Sequence, residues 1–341
     1  SRTLFASVAA IGFAQTVLFA ILAPLGREIG LIEVQVGAII SASSLTIFLA
    51  SPYWGRASDV WGRRKILLIG LFGYSAGTAI FASVFQAALL GLLLPMVAFI
   101  GLTLARIANA TVMAAVVPAS NAYMADITSI ATRTKGMAAL GAATNIGSML
   151  GPAIGGLLAN ISLLTPLYFS VMLTLAAACL ALFVLPELPR PKTSRKPPRL
   201  KYSDPRIFPF VIVGASLFMG FALVQQTIAF HFQDTLRLTG AETAQVTGIS
   251  MMFSAAASLL VQMVVIPRLK VSPVTLLRIA MPVMITAFVT MALGDTRFSL
   301  TIAMVLLGLG MGFAGPGFMA GASLAVSAEE QGGVAGVAAS C

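Results

Sequence analysis

The sequence predicts an all-α polytopic membrane protein, and three observations predict it. The chain is 58% apolar and only 9% charged, where a soluble domain carries about a quarter of its residues as charges. Stretches free of Asp, Glu, Lys, Arg and His recur along it, each long enough for the roughly 20 apolar residues that cross about 30 Å of hydrocarbon. The 21 Lys and Arg against 11 Asp and Glu leave a formal charge of +10, yet these cations gather in short loops between the tracts. That distribution excludes an ordinary globular enzyme and explains the basic balance without nucleic acid as a partner.

The uncharged tracts place helices at about 4–24, 34–54, 66–86, 93–118, 136–158, 164–185, 208–231, 244–266, 274–293 and 298–320, with 332–341 opening an eleventh. The tract from Thr3 to Gly26 lacks a strong basic start, is too long for a cleaved leader and is followed by a return span, so it is read as a retained helix. The second tract ends in the loop that carries Arg56, Arg63, Arg64 and Lys65. Ile66 to Ala105 holds the third helix and the start of the fourth, which Arg106 interrupts as the one mid-tract charge. Gly136 to Pro186 is long enough for the fifth and sixth helices.

Orientation follows from the cations, because cytoplasmic loops are enriched in Lys and Arg. With the N-terminus inside, the inner loops hold Arg56, Arg63, Arg64, Lys65, Arg133, Lys135, the run from Arg190 to Arg206, Arg268, Lys270 and Arg278, and the outer loops only Arg27, Arg237 and Arg297. The segment from Glu187 to Arg206 has five prolines, seven cations and two acids, a composition that buries no core and reads as an extended linker. The chain therefore divides into a six-helix half at 1–186, a basic cytoplasmic linker at 187–207 and a second set of helices at 208–341.

The inner loop after the second helix reads Gly55-Arg56-Ala57-Ser58-Asp59-Val60-Trp61-Gly62-Arg63-Arg64-Lys65. Gly62 suits a short reversal, the cations hold the loop inside, and Asp59 can neutralise a helix N-terminus. The pattern resembles the signature of the major facilitator superfamily: a glycine, an aspartate four residues on, then Gly-Arg-Arg. In the fifth helix, Gly147-Ser148-Met149-Leu150-Gly151-Pro152-Ala153-Ile154-Gly155-Gly156 resembles the motif of that superfamily's drug and proton antiporter branch. Its glycines let helices approach closely and Pro152 bends the span; Ala138 stands where that motif has one more glycine. Leu102 with Arg106 resembles the family's membrane arginine motif, with Asn109 and Ala110 in place of glutamine and glycine. The stretch from Ala122 to Thr128, followed by Arg133, is similar to the corresponding loop of tetracycline efflux proteins.

The resemblance covers essentially the whole chain and implies two parallel six-helix halves rocking about a midplane cavity. Since the superfamily usually has twelve spans, the second half is incomplete here and the chain, which lacks an initial methionine, reads as a piece of a longer protein. Helices one, four, seven and ten are implied as cavity lining, which nominates Gln15, Phe19, Arg106, Asn109, Met113, Gln225, Gln226 and Phe313. His231 can titrate near neutrality and joins them as a relay candidate. A gate on the inner side is expected where Arg63 or Arg64 pairs with Asp126 and Asp59 approaches Gly332 and Gly333. The implied activity is export of small amphipathic organic compounds or drugs across the cell (inner) membrane, driven by proton antiport, in a monomer embedded in lipid. Other readings are a sugar or metabolite exporter or uniporter of the same fold, and a non-transporting membrane sensor.

Enzymatic chemistry finds no foothold. Cys179 and Cys341 exclude a disulfide framework and a multi-thiolate metal site, and neither a metal nor a cofactor is expected. Gly73-Tyr74-Ser75-Ala76-Gly77 fits a nucleophile elbow by letter, but it lies mid-span, away from the one histidine. Gly310 to Gly315 fits a dinucleotide fingerprint without the preceding strand that it needs. Both are read as packing faces of small residues.

Overall fold

The computed structural model describes residues 2–128, 130–187, 204–269 and 271–326. α1 (Arg2–Glu28), α2 (Glu33–Trp61) and α3 (Arg63–Leu89) follow one another with little loop between them. α1 is apolar on all sides and buried along nearly its whole length, the signature of a helix surrounded by others; α6 (Ile130–Leu158) and α7 (Thr165–Val184) enclose it. α2, by contrast, keeps Leu45, Phe48, Leu49 and Tyr53 exposed, a stripe suited to lipid.

The fourth predicted span is broken within and runs further than expected. Where one helix was expected at 93–118, the chain forms α4 (Pro95–Met113) and α5 (Val116–Ile127). Pro118 has no N–H to donate back to the preceding turn, and Ala115 N turns to Val112 O at 3.1 Å. Trp54 of α2 donates its indole N–H to the carbonyl of Thr111 at 2.6 Å. The break is thus held by a side chain from a neighbouring helix.

The chain resumes at Asp204, whose carboxylate accepts from Arg206 N at 3.0 Å and from the Arg206 guanidinium at 2.8 Å. These bonds hold the Asp204 carboxyl below its ordinary value. α8 (Phe208–Leu236) leads through Arg237, in the left-handed region at φ 52°, to α9 (Gly240–Leu260). A π turn at Val261–Val265 extends α9 just ahead of Pro267, which cannot continue a helical ladder. α10 (Pro273–Leu293) begins at a Ser272 cap, and α11 (Arg297–Leu324) at a capping box of Thr296 and Ser299.

Two compact units result, one of Ser1–Lys192 with Arg237–Ile249 and the other of Thr193–Leu236 with Ser250–Cys341. By length and composition, nine helical stretches among the described residues can cross a membrane, α4 and α5 together forming one. α6, matching the expected fifth span, is not among the nine; Gly, Ala, Thr, Ser and Asn interrupt its apolar stretch. Those small residues instead serve contact with α1.

In the first unit that contact is backbone on backbone. Gly147 faces the main chain of Ala9, Gly151 faces Phe13 O and Thr16, and Gly155 faces Val17. Thr16 Oγ1 donates to Ser148 O at 2.9 Å and also bonds Gly12 O. In lipid, where apolar burial drives little association, such close approach lets dispersion and hydrogen bonds hold helices together. The second unit repeats the device. Gly308 and Gly312 of α11 lie on the Ser254 and Ser258 backbone, and Phe218 meets Phe318 edge-on at 5.8 Å. The two sequence stretches set aside as packing faces are such faces: Gly73 and Gly77 receive Val112 and Asn109, and Gly310 receives Met284.

Candidate functional site

Three groups of residues carry chemistry. The first lies where α2, α3, α5 and α7 end or begin. A single residue, Gly62, joins α2 to α3 at φ 102°, a conformation an L side chain rarely adopts; a Cβ there would also strike the Glu187 carboxylate. This tight reversal aims the following arginines in different directions. Arg63 Nε donates to Asp126 Oδ2 at 3.1 Å, and its Nη1 to Ser58 Oγ at 2.9 Å. Arg64 Nη2 donates to the carbonyl of Leu182, in the last turn of α7, where a cation is favoured by the helix dipole. Tyr123 of α5 reaches the same exit with its hydroxyl on Pro186 O at 3.0 Å. The loop is therefore clamped to α5 on one side and to the end of α7 on the other.

Of the two arginines expected to meet Asp126, Arg63 does so, with side-chain exposures of 11% for Arg63 and 25% for Asp126. Gly55 faces Pro118 of α5. The side chain of Asp59, and Gly332 and Gly333, lie outside the described residues, as do the side chains of Arg133 and Ala138.

The second group is the α6 motif. One edge of it, Gly147, Gly151 and Gly155, seats α1 as described above. The other edge seats the start of α9: Gly156 faces Ala244 O and Gly248, and Gly248 faces Pro152 O. The motif thus packs two helices on two faces.

The third group surrounds Arg106. Its residue exposure is 8%, and it is the one charged residue buried among the described residues. Among those residues it forms no ion pair. Its guanidinium carbon lies over the Phe81 ring at 5.9 Å from the centroid, a cation–π placement. The Tyr74 hydroxyl, fully buried, has Arg106 and Thr78 as electrostatic neighbours and meets no partner in hydrogen-bond geometry. Asn109, nominated with Arg106 as cavity lining, turns to α3 instead. Its Nδ2 donates to Thr78 Oγ1 at 3.1 Å, its Oδ1 is buried without a partner, and Gly77 leaves the room it occupies.

The other nominated residues are dispersed. Gln15 is exposed and Phe19 half-buried on α1, whereas Met113 is buried at the end of α4. In the second unit Gln225, Gln226 and Phe313 are half-buried, and Gln226 Oε1 is buried without a partner. His231 Nε2 meets Met291 O at 3.0 Å, a carbonyl in the last turn of α10, so the ring ties α8 to that helix end. Sequence reasoning missed Tyr74, Thr78 and Phe81. Their spacing of four and three residues on one helix was a usable signal, hidden inside a run taken only for packing.

These features define a polytopic α-helical membrane protein built from compact bundles, with a clamped α2–α3 loop and a buried arginine. The Major Facilitator Superfamily profile matches residues 4–341, and the chain belongs to that family. It is 30% identical over 229 residues to Multidrug resistance protein 1 of Bacillus subtilis, covering 65% of this chain and 56% of that protein. To Quinolone resistance protein NorA of Staphylococcus aureus it is 27% identical over 168 residues, 49% of this chain and 40% of that one. The chain spans about half the length of these curated relatives. Among solved structures, a bacterial homologue of the human lysosomal transporter Spinster superposes with a TM-score of 0.75 at 17% identity, over 99% of this chain and 77% of the other, a likeness of fold.

Proposed function

We propose that the protein is a secondary transporter that exports small amphipathic organic compounds or drugs by alternating access and proton antiport. It acts as a monomer in the cell (inner) membrane with its N-terminus in the cytoplasm. The halves at 1–186 and 208–341 move about the linker at 187–207. Family membership and the multidrug and quinolone resistance relatives support the class. The observation that carries it is Arg106. A charge at the centre of a span costs roughly 2.5–3.5 kcal/mol on insertion scales and marks a functional site by default, and this one is buried without an acidic partner among the described residues.

The gating role belongs to the inner clamp. Arg63 on Asp126 and Arg64 on the end of α7 hold the α2–α3 reversal in one arrangement, with Asp59 as the third member. Asp59→Asn is expected to remove most transport while the protein still reaches the membrane. The α6 motif adds a rigid, closely packed face on which α1 and α9 can pivot.

Proteoliposomes holding a pH-sensitive dye test the reading, with norfloxacin as the driven compound. Compound-dependent proton flux is the expected result. Transport without proton flux makes the protein a uniporter, and neither signal overturns the proposal in favour of a sensor. Orientation is tested separately: a cysteine at Arg195 should react with an impermeant maleimide only from the cytoplasmic side, and one at Gly240 only from outside.

A further inference from the structure

Arg106 lies against one face of α3. Tyr74, Thr78 and Phe81 are spaced to share one face of α3. From that face the Phe81 ring meets the guanidinium at 5.9 Å, and the buried Tyr74 hydroxyl neighbours it electrostatically. Two groups from one helix thus lie beside the guanidinium. The Phe81 ring carries no charged acceptor for the guanidinium N–H donors. Among the described residues no carboxylate pairs with them. Asn109 Nδ2, the neighbouring donor that could also hold an anion, is committed to Thr78.

We propose that Arg106 is the carboxylate-binding point for the compound carried, so that the preferred substrates are organic anions or zwitterions with a carboxylate beside an apolar body. Tyr74 is the positioning residue that sets the orientation of the fork. The bottom-up reason is complementarity. A half that buries a cation without an acid repels a cationic amphiphile at close range and gains little from a neutral one. A carboxylate accepts from the guanidinium fork in a bidentate pair, the strongest hydrogen-bonded arrangement open to that side chain. Lysine, a point charge, does not reproduce it. Asn109 Oδ1, a buried acceptor, has no part in holding the anion. The inference rests on the transporter reading only where it calls the bound compound a substrate.

The test uses the whole chain, purified in detergent, and a matched pair of probes: 1-naphthaleneacetate and 1-naphthaleneacetamide, alike in shape and different in charge. Calorimetric titration should show the acetate binding about tenfold or more tighter than the amide, the scale of a charge-assisted hydrogen bond. Arg106→Gln should bring the ratio to about one. Tyr74→Phe, which removes one oxygen, should cut the ratio severalfold while leaving the amide affinity unchanged. Equal binding of the two probes, no saturable binding of the acetate, or equal weakening of both by Tyr74→Phe would overturn the proposal. If Tyr74→Phe does not fold, the wild-type and Arg106→Gln ratios decide. Export of ethidium with an acetate-to-amide ratio of one removes this inference and leaves the transporter reading; a high ratio without any flux does the reverse.

Discussion

Arg63 and Arg106 both belong to the first unit, and their surroundings are opposite. Arg63 has a carboxylate at 3.1 Å and a serine hydroxyl at 2.9 Å, beside a glycine turn that leaves the chain no other path. Arg106 has a phenyl ring, a tyrosine hydroxyl that does not close a bond, and no acid among the described residues. The first arrangement returns much of what desolvation costs, because the pair is partly open to water. The second does not, since a buried charge without a counter-ion is destabilising by several kcal/mol. Two arginines of one bundle are therefore held differently: one is tied to α5 by an ion pair, and the other is buried without an acid among the described residues.

The contrast can be broken most severely at Arg106. Arg106→Ala should lower the initial rate of compound efflux from proteoliposomes by about tenfold or more, and Arg106→Lys by nearly as much, because the planar fork is lost with the charge kept. Both proteins should accumulate normally in the membrane fraction. Full activity in the lysine variant would reduce the role to charge alone, and activity in the alanine variant would remove the site.

The next effect is on the scaffold. Gly151→Leu places a side chain against Phe13 O and Thr16, and overpacking of this kind costs about 1–3 kcal/mol. Thermal unfolding in detergent should show a lowered midpoint, while Leu150→Ala, at an exposed neighbouring position, should leave it nearly unchanged. Equal shifts in the two would dissolve the claim that the glycine face seats α1.

At the α2–α3 clamp, Asp126→Asn should weaken the loop by about 1 kcal/mol and slow efflux a few-fold. The double variant Arg63→Asp with Asp126→Arg should recover part of the rate, which separates the pair from the identity of either residue. The smallest change comes from Trp54→Phe, which removes the bond to Thr111 O at about 0.5–1.5 kcal/mol. Hydrogen exchange should rise at the α4–α5 break and not at α3.

How far the sequence foretold this depends on what each feature needs. The helices and their loops were legible because charges punctuate them, and the Gly62 reversal because its neighbours carry a recognisable pattern. The break at Ala114 and Ala115 was not, since Pro118 sits inside a continuous apolar tract and its effect depends on Trp54 arriving from α2. Arg106 was visible as a mid-tract charge, but its partners were not. Periodicity places Asn109 one turn along the same helix, and only the packing of α3 on α4 decides that it serves Thr78 instead. Tyr74 was hidden for the same reason, lying between glycines that suggested contact and nothing more.

The contrast itself is tested most directly by Arg106→Met, which keeps length and removes the charge. If the arginine is held for function at the expense of the fold, the variant should unfold at the same or a higher temperature than wild type and show efflux reduced by about tenfold or more. A variant that unfolds at a clearly lower temperature while retaining wild-type efflux would contradict it, and would make Arg106 a structural residue like Arg63.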